Sequence, residues 1–581
     1  MTRQIFAVLI ALCSILTSSA QNTLLKLRYE ENYTPTYYEV IDMYRLLDSH
    51  YKNAKLTTNG QTDSGKPLHT FIINNEAEFN PERIKEKGKA ILLINNGIHP
   101  GEPAGIDASL EFADDVLRNK NGLAQLLEST AIVIIPAYNT GGLLRRSAYN
   151  RSGQTTPYET GFRGNVGNYD LNRDFVKCDS ENARNFNRLF TTWDPDVFLD
   201  THTTNGSEHQ YSVTLIAPQP DMFPPSQEEF IREKLLPALF ENMGKGEYEL
   251  IPYVSWVYPD PKMGIKMTQE SPRYSSGYAS LFHSYGMMTE NHVYKKYADR
   301  VKSCYRFIEV LGRFTAENSE EIIKSRMQGK QESMQKKTHS IDFDLDTTQF
   351  KMIEFKGYEV DTQQISPVTG LPRFGYDLDR PYTEQIKYFD VYEKTEEISI
   401  PEYYVLPQAW KNVVERLEIN GIEYDTLKND TTLEVEVYYI EDYSNAKQPY
   451  NGHYFHDEVC TRSETQMIKY FSGDLLIPVR QEKIRYLLET LEPKARDSFF
   501  RWNFFDNILD TREYFSSYGF EENAARYLKG HPEFKKKWEE KRASDPEFAK
   551  NHRAQLAYIY NNSEWEEKSF KRYPVGRIFS E

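Results

Sequence analysis

His99 and Glu102 stand three residues apart in "INNGIHPGEPAG", Ile94 to Gly105, directly after the apolar run "AILL". An imidazole and a carboxylate at that spacing can share a metal ion. The spacing alone is weak, because a chain with twelve histidines and many glutamates gives roughly one such pair by chance. His99 is the one histidine with Glu at the third position after it, so the reading depends on a third ligand.

A catalytic zinc takes three protein ligands and leaves a fourth position for water. "FLDTHTT" closes another apolar run at His202, and two histidines with one carboxylate make such a set. Taken alone, His202 reads as a buried histidine at a strand end. Gly97, Gly101 and Gly105 let the first loop bend tightly. Between the ligands, "GFRGNVGNYDLNRDF" sets Arg163 and Arg173 around a Gly- and Asn-rich turn. Two guanidiniums suit an oxyanion and a substrate carboxylate; the plainer alternative is a surface loop with ion-paired arginines. Asp170 is suited to orient a ligand histidine through its other ring nitrogen. Hydrolysis at zinc needs a carboxylate to carry a proton from water to the leaving amine. Glu290, ending "SYGMMTE", is the candidate, with Glu270 in "TQESPRY" its rival.

The elements that must position these groups are legible as alternating patterns. "AILLIN" (90–95), "AIVIIPA" (131–137), "VFLDTH" (197–202), "YSVTLIA" (211–217) and "YGMMTE" (285–290) read as strands. Between them "AGIDASLEFADDVLRN" (104–119), with Ile106, Leu110, Ala113 and Leu117 on one face, "ENARNFNRLFTTW" (181–193) and "FIREKLLPALFENM" (230–243) read as helices. That alternation predicts an α/β fold, a mixed, mainly parallel sheet with helices on both faces, whose ligands gather at the carboxyl ends of strands. A charged helix and linker follow to about 336. From 341 to 480 alternating polar and apolar residues such as "LEVEVYYIEDY" predict a β-rich domain. From 481 to 581 the sequence reads as helical, with Ser544 or Asp545 capping one helix.

Taken together, "HPGE", "DLNR", "DTHTT" and "TENH" resemble, in order and approximate spacing, the zinc carboxypeptidase family, the carboxypeptidase A-like metallopeptidases. The resemblance spans about 30 to 315, and the tail after 470 is similar to C-terminal extensions of large secreted bacterial members. It implies one zinc ion per chain held by His99, Glu102 and His202, within a catalytic domain over 21–336. It implies Arg163 as the oxyanion's partner, Asn172 and Arg173 as the pair that holds a terminal carboxylate, and Glu290 as general base and acid. The substrate implied is a peptide with a free C-terminal carboxylate. Cell-wall peptide hydrolases and amide deacylases resemble the same scaffold, and a non-catalytic peptide- or glycan-binding protein is the reading from another class. Two departures stand out. Asp174 puts an acid next to Arg173, and "SPRYSSGYASLF" offers both Tyr274 and Tyr278 as the pocket tyrosine, with Tyr278 preferred because it follows Gly277.

The whole chain bounds the rest. Its 581 residues require more than one core. A net charge of −16 gives no basic face for nucleic acid. The start, with Arg3, the apolar run Ile5 to Leu16 and a small-residue site ending at Ala20, reads as a signal peptide over 1–20. It predicts a secreted or periplasmic protein with no membrane span once the leader is removed. Cys178, Cys304 and Cys460 are too few and too scattered for a disulfide framework.

Overall fold

Aliphatic and β-branched runs that are apolar on both sides cannot face water on either, and they form the centre of a sheet. In the computed structural model, which describes residues 24–204, 206–254 and 260–580, these runs are β3 (Ala90–Asn96), β4 (Thr130–Ile135) and β5 (Val197–Thr204), each buried along its whole length. With β1 (Ala54–Gln61), β2 (Pro67–Ile73), β6 (Val213–Ile216), β7 (Leu250–Pro252) and β9 (Tyr285–His292) they make one eight-stranded sheet in the order β1-β2-β4-β3-β5-β9-β6-β7. The pairs β4–β3, β3–β5 and β5–β9 are parallel, with antiparallel strands on both flanks.

The pleat sends alternate residues to opposite faces, and helices cover both. On one face Leu92, Ile94, Val197 and Leu199 share a core with Ile106, Leu110, Ala113 and Leu117 of α1 (Ala104–Leu117), and with residues of a later helix, Tyr297–Glu317. On the other, Phe198 meets Phe186 and Phe190 of α2 (Glu181–Trp193), with ring centroids 6.0 and 5.8 Å apart. The expected mixed, mainly parallel α/β architecture is the one observed.

The chain divides into two compact units, Met1–Ser399 with Arg416–Ile422 and Arg480–Glu489, and Ile400–Glu415 with Glu423–Val479 and Thr490–Glu581. The change of texture at 341 therefore falls inside the first unit, within β10 (Thr338–Leu345). The reason is packing: the hairpin of β11 (Lys351–Ile365) and β12 (Pro372–Phe389) pairs in parallel with the short β8 (Ile265–Lys266) and shares a core of Tyr211, Ile251, Ile265, Phe355, Ile386 and Tyr388. The second unit is built on its own six-stranded sheet, followed by helices in which Asp545 caps Pro546–Lys550 by accepting from the Phe548 amide at 3.0 Å. Cys178, Cys304 and Cys460 are free thiols. No helix among the described residues is long and apolar enough to cross a membrane, and the leader read over 1–20 lies outside the described residues.

What places the site is the approach of α1 to β5. At Gly105 a Cβ would lie 1.9 Å from Thr201 Oγ1 and 2.8 Å from Asn96 Oδ1, the two atoms whose 2.8 Å hydrogen bond joins the ends of β3 and β5. Only glycine leaves room. Gly105→Ala is expected to cost about 1–3 kcal/mol through overpacking. Urea unfolding checks this, and an unchanged midpoint would contradict the packing argument.

Candidate active site

Parallel pairing brings the chemistry together. β5 and β9 run side by side with His202 and Glu290 directly in register, so the two side chains emerge on the same face of the sheet. β3 flanks β5 on its other edge. Just past β3, Gly97 takes φ 70° and turns the chain into a tight loop in which the Glu102 amide donates to His99 O at 2.8 Å. Three adjacent strand ends thus deliver His99 with Glu102, His202, and Glu290 to one cavity of about 480 Å³.

His99, Glu102 and His202 are all buried, and a ligand atom of each lies within 4.8 Å of the others. His202 Nδ1 is 3.1 Å from both His99 Nδ1 and Glu102 Oε2, and His99 Nδ1 is 3.4 Å from that same oxygen. The remaining ring nitrogens face carboxylates, His99 Nε2 at 2.8 Å from Asp170 Oδ1 and His202 Nε2 at 2.8 Å from Asp200 Oδ2. An ionised carboxylate only accepts, so each Nε2 carries a hydrogen and each Nδ1 is the ring atom turned inward. Burial alone would lower the His202 imidazole, but Asp200 and Glu102 outweigh it and hold the group well above its ordinary range, so a cation bound among these atoms would displace a proton. That arrangement suits a divalent cation of the zinc type, with Asp170 and Asp200 as the outer carboxylates that orient metal-binding histidines. Burial would raise the Asp170 carboxyl, but His99 and Arg163 outweigh it and hold the group well below the usual range.

Around this trio the cavity is lined by Arg151, Arg163, Asn172, Arg173, Tyr274 and both Glu270 and Glu290. Burial pushes the Glu290 carboxyl up to about 8, helped by the charges of Glu102 and Glu270 and opposed by His202 and Arg151. Arg163 reaches Asp170 Oδ2 at 2.8 Å and lies half-exposed at the cavity. The Arg173 guanidinium stacks 4.3 Å from the Tyr274 ring. Asp174 does not compete for Arg173. It is fully buried and accepts from Lys177 Nζ at 2.6 Å, Ser180 Oγ at 2.5 Å, and the amides of Asp179 and Ser180 at 3.0 Å.

The choice of Tyr278 is corrected. Tyr278 is fully buried among Phe175, Phe186, Phe190 and Phe282, donates to Asn420 Oδ1 at 2.6 Å, and does not line the cavity. Tyr274 does, as the residue that opens α3 (Ser275–Ser280). Gly277 misled because it suggested flexibility. A Cβ there would lie 2.1 Å from Ser271 O, so its glycine serves close backbone packing. His292, two residues past Glu290, is also packed away, 4.2 Å from the His209 ring and bonded to Glu208 at 3.1 Å. Two residues that touch the trio escaped the sequence. Asp200 had a usable signal, since it lies two residues before His202 and shares its side of β5. Arg151 had none, lying 49 positions from the Glu102 it contacts.

Part of the chain is similar to known proteins. Residues 40–220, the stretch that carries His99, Glu102 and His202, match the sequence model described as zinc carboxypeptidase. The chain is 22% identical over 432 residues to "Carboxypeptidase 2" of Trichophyton tonsurans, covering 71% of this chain and 73% of that protein. A shorter stretch of 125 residues is 33% identical to "Carboxypeptidase E" of Caenorhabditis elegans, covering 21% of this chain and 25% of that one. Among solved structures, a metallo-carboxypeptidase from Pseudomonas aeruginosa in complex with (2-guanidinoethylmercapto)succinic acid is similar at 15% identity and a TM-score of 0.37, covering 51% of this chain and 71% of that one.

The placement of the two tyrosines is open to test. Tyr278→Phe is expected to lower stability by about 1–3 kcal/mol, because it strands a buried amide oxygen, and to leave KM unchanged. Tyr274→Phe is expected to do the reverse. Thermal melts and steady-state kinetics on a peptide separate the two, and a KM change confined to Tyr278→Phe would reinstate Tyr278 as the pocket tyrosine.

Proposed function

We propose that the chain is a zinc-dependent metallocarboxypeptidase that binds one zinc ion and removes residues from free peptide C-termini. The observation that carries this reading is the convergence of ligand atoms from His99, Glu102 and His202 beside Glu290, with Arg163, Asn172 and Arg173 lining the same cavity. Zinc held by His99, Glu102 and His202 supplies Lewis acidity toward a carbonyl oxygen and lowers the pKa of water to about 7. Glu290 takes the proton from the attacking water and delivers it to the departing amine. Its burial suits that role, since a carboxyl raised by desolvation is drawn back toward neutrality by a nearby cation, which leaves it able both to accept and to release a proton. Arg163 stabilises the oxyanion as charge develops on the scissile carbonyl. Asn172 and Arg173 hold the substrate's terminal carboxylate, and Tyr274, stacked on Arg173, forms the wall beside it. The leader read over 1–20 supports export from the cytoplasm.

Removing the proton carrier separates chemistry from binding. Glu290→Gln is expected to retain zinc and substrate affinity while kcat falls by a hundredfold or more, whereas His202→Ala is expected to lose zinc. Metal analysis and kinetics on the two variants test this. Near-normal turnover in Glu290→Gln would shift the role to Glu270.

The reaction class itself is tested with matched peptides. A charged hydrogen bond contributes about 1.5–3 kcal/mol, so replacing the terminal carboxylate by an amide is expected to slow cleavage at least tenfold. Arg173→Ala is expected to narrow that gap. Mass spectrometry of both peptides, with and without a zinc chelator, reads the outcome. Equal cleavage of acid and amide by the unmutated protein would favour the deacylase or cell-wall reading.

A further inference from the structure

The chain doubles back just after Asn172 and Arg173. Cys178 holds a left-handed backbone, φ 53°, without a glycine's freedom to do so, and its amide donates to Asp174 O at 2.8 Å. Every residue from Asp174 to Cys178 is buried. The carbonyls of Lys177 and Cys178 lie outside helix and strand pairing, and buried carbonyls need donors. One side chain from 239 positions further along supplies both. Arg416, itself 3% exposed, donates from Nε to Lys177 O at 2.5 Å and from Nη2 to Cys178 O at 3.1 Å. The same Nη2 pairs with Asp179 Oδ1 at 3.0 Å. A forked guanidinium suits this task, because its several donors sit in one fixed plane.

Arg416 stands on α4 (Lys411–Ile419), and the end of that helix is packed into the same place. Ile419 shares a small core with Cys178 and Ala183 of α2, and Thr191 Oγ1 of α2 donates to Ile419 O at 3.3 Å. One helical turn past Arg416, Asn420 accepts from the Tyr278 hydroxyl of α3 at 2.6 Å and donates to Arg416 O at 2.8 Å. Two neighbouring side chains therefore grip the turn after Arg173 and the helix after Tyr274. Those two segments also touch each other, through the Phe175 amide on Arg273 O at 3.4 Å and the Ser275 amide on Asn172 Oδ1 at 3.0 Å. Residues 416–422 belong to the first unit, although they lie well past 336 and outside the stretch 40–220.

We propose that Arg416 and Asn420 are positioning residues for substrate recognition: from behind the cavity they hold the turn at Lys177–Asp179 and α3 in place, so that Arg173 and Tyr274 meet the substrate's terminal carboxylate. This rests on the reading of Asn172 and Arg173 as the carboxylate clamp. Neither Arg416 nor Asn420 lines the cavity. Their influence passes through the turn and α3, while His99, Glu102, His202 and Glu290 are held separately by β3, β5 and β9. Loss of Arg416 therefore weakens the grip on a free C-terminus and leaves metal uptake and proton transfer alone.

The test uses the full-length chain as wild type and as Arg416→Met, which keeps the stem and removes the fork. Arg416→Met is expected to raise KM for a free-acid peptide about fivefold with kcat within about twofold, and to leave KM for the matched amide unchanged. Zinc content is expected to match wild type. Iodoacetamide labelling, located by mass spectrometry, reads the turn directly: Cys178 is expected to react about tenfold faster in Arg416→Met. Cys304, buried in the core on the opposite face of the sheet, is expected to keep its wild-type rate and so reports any general unfolding. Arg416→Lys keeps the charge but lacks the fork, and is expected to show both changes at reduced size; it decides the matter if Arg416→Met does not fold. Unchanged KM and unchanged Cys178 labelling in the folded variant overturn the proposal. So does a lower Tm with Cys178 and Cys304 labelled together and KM unaltered, which would make Arg416 a structural tie. A wild-type chain that cuts acid and amide peptides alike overturns the clamp reading itself. That result appears before any variant is made, and the labelling still reports what Arg416 holds.

Discussion

The in-register parallel pairing of β3, β5 and β9 is the constraint on which the rest depends. It sets His202 and Glu290 side by side on neighbouring strands, and it leaves the loop after β3 nowhere to go but over the end of β5. Each strand is held by backbone hydrogen bonds and by two faces of apolar packing. The distances among the polar groups are therefore fixed by the sheet and not by the polar groups themselves. That matters because three ligand atoms are held close together in a buried space, and a less rigid frame would let them separate.

Carboxylates then set the sense of each ligand. Asp170 and Asp200 come from different parts of the chain, one from the Asn-rich turn and one from β5 itself, yet both accept from the Nε2 of a histidine. Asp170 also accepts from the Asn172 amide at 3.0 Å and pairs with Arg163, so the group that orients His99 also anchors the turn carrying the candidate carboxylate clamp. The Asp200 carboxylate accepts from Ser275 Oγ at 2.6 Å, and the Ser275 amide donates to Asn172 Oδ1 at 3.0 Å. The two histidines and the turn carrying Asn172 and Arg173 are thereby joined through two short chains of hydrogen bonds.

Much of this was legible in the residues. The apolar runs at 90–95, 131–137, 197–202 and 285–290 and the helix at 181–193 sit where their periodicity puts them, because strands and helices buried on a large core have little freedom to depart from pattern. The converging groups were legible because each lies at or just past the end of such a run. What was not legible depends on long-range contact. The hairpin of β11 and β12 alternates like any solvent-facing strand pair, and only its core with Tyr211, Ile251 and Ile265 assigns it to the first unit. Tyr274 precedes α3 in extended backbone and Tyr278 lies within it, and nothing local says which of the two faces the cavity. Arg151 sits in an irregular loop whose course no periodicity describes.

The cavity has two walls of different construction. One, bearing His202 and Glu290, is the centre of an eight-stranded sheet; the other, bearing Arg151, Arg163, Asn172, Arg173 and Tyr274, is made of turns and short helical segments. Amides in the first wall are expected to exchange with solvent only on unfolding of the whole unit, and those in the second through local openings of much lower free energy. The same partition implies that a protease or a deuterium label would register the recognition wall long before the chemical one.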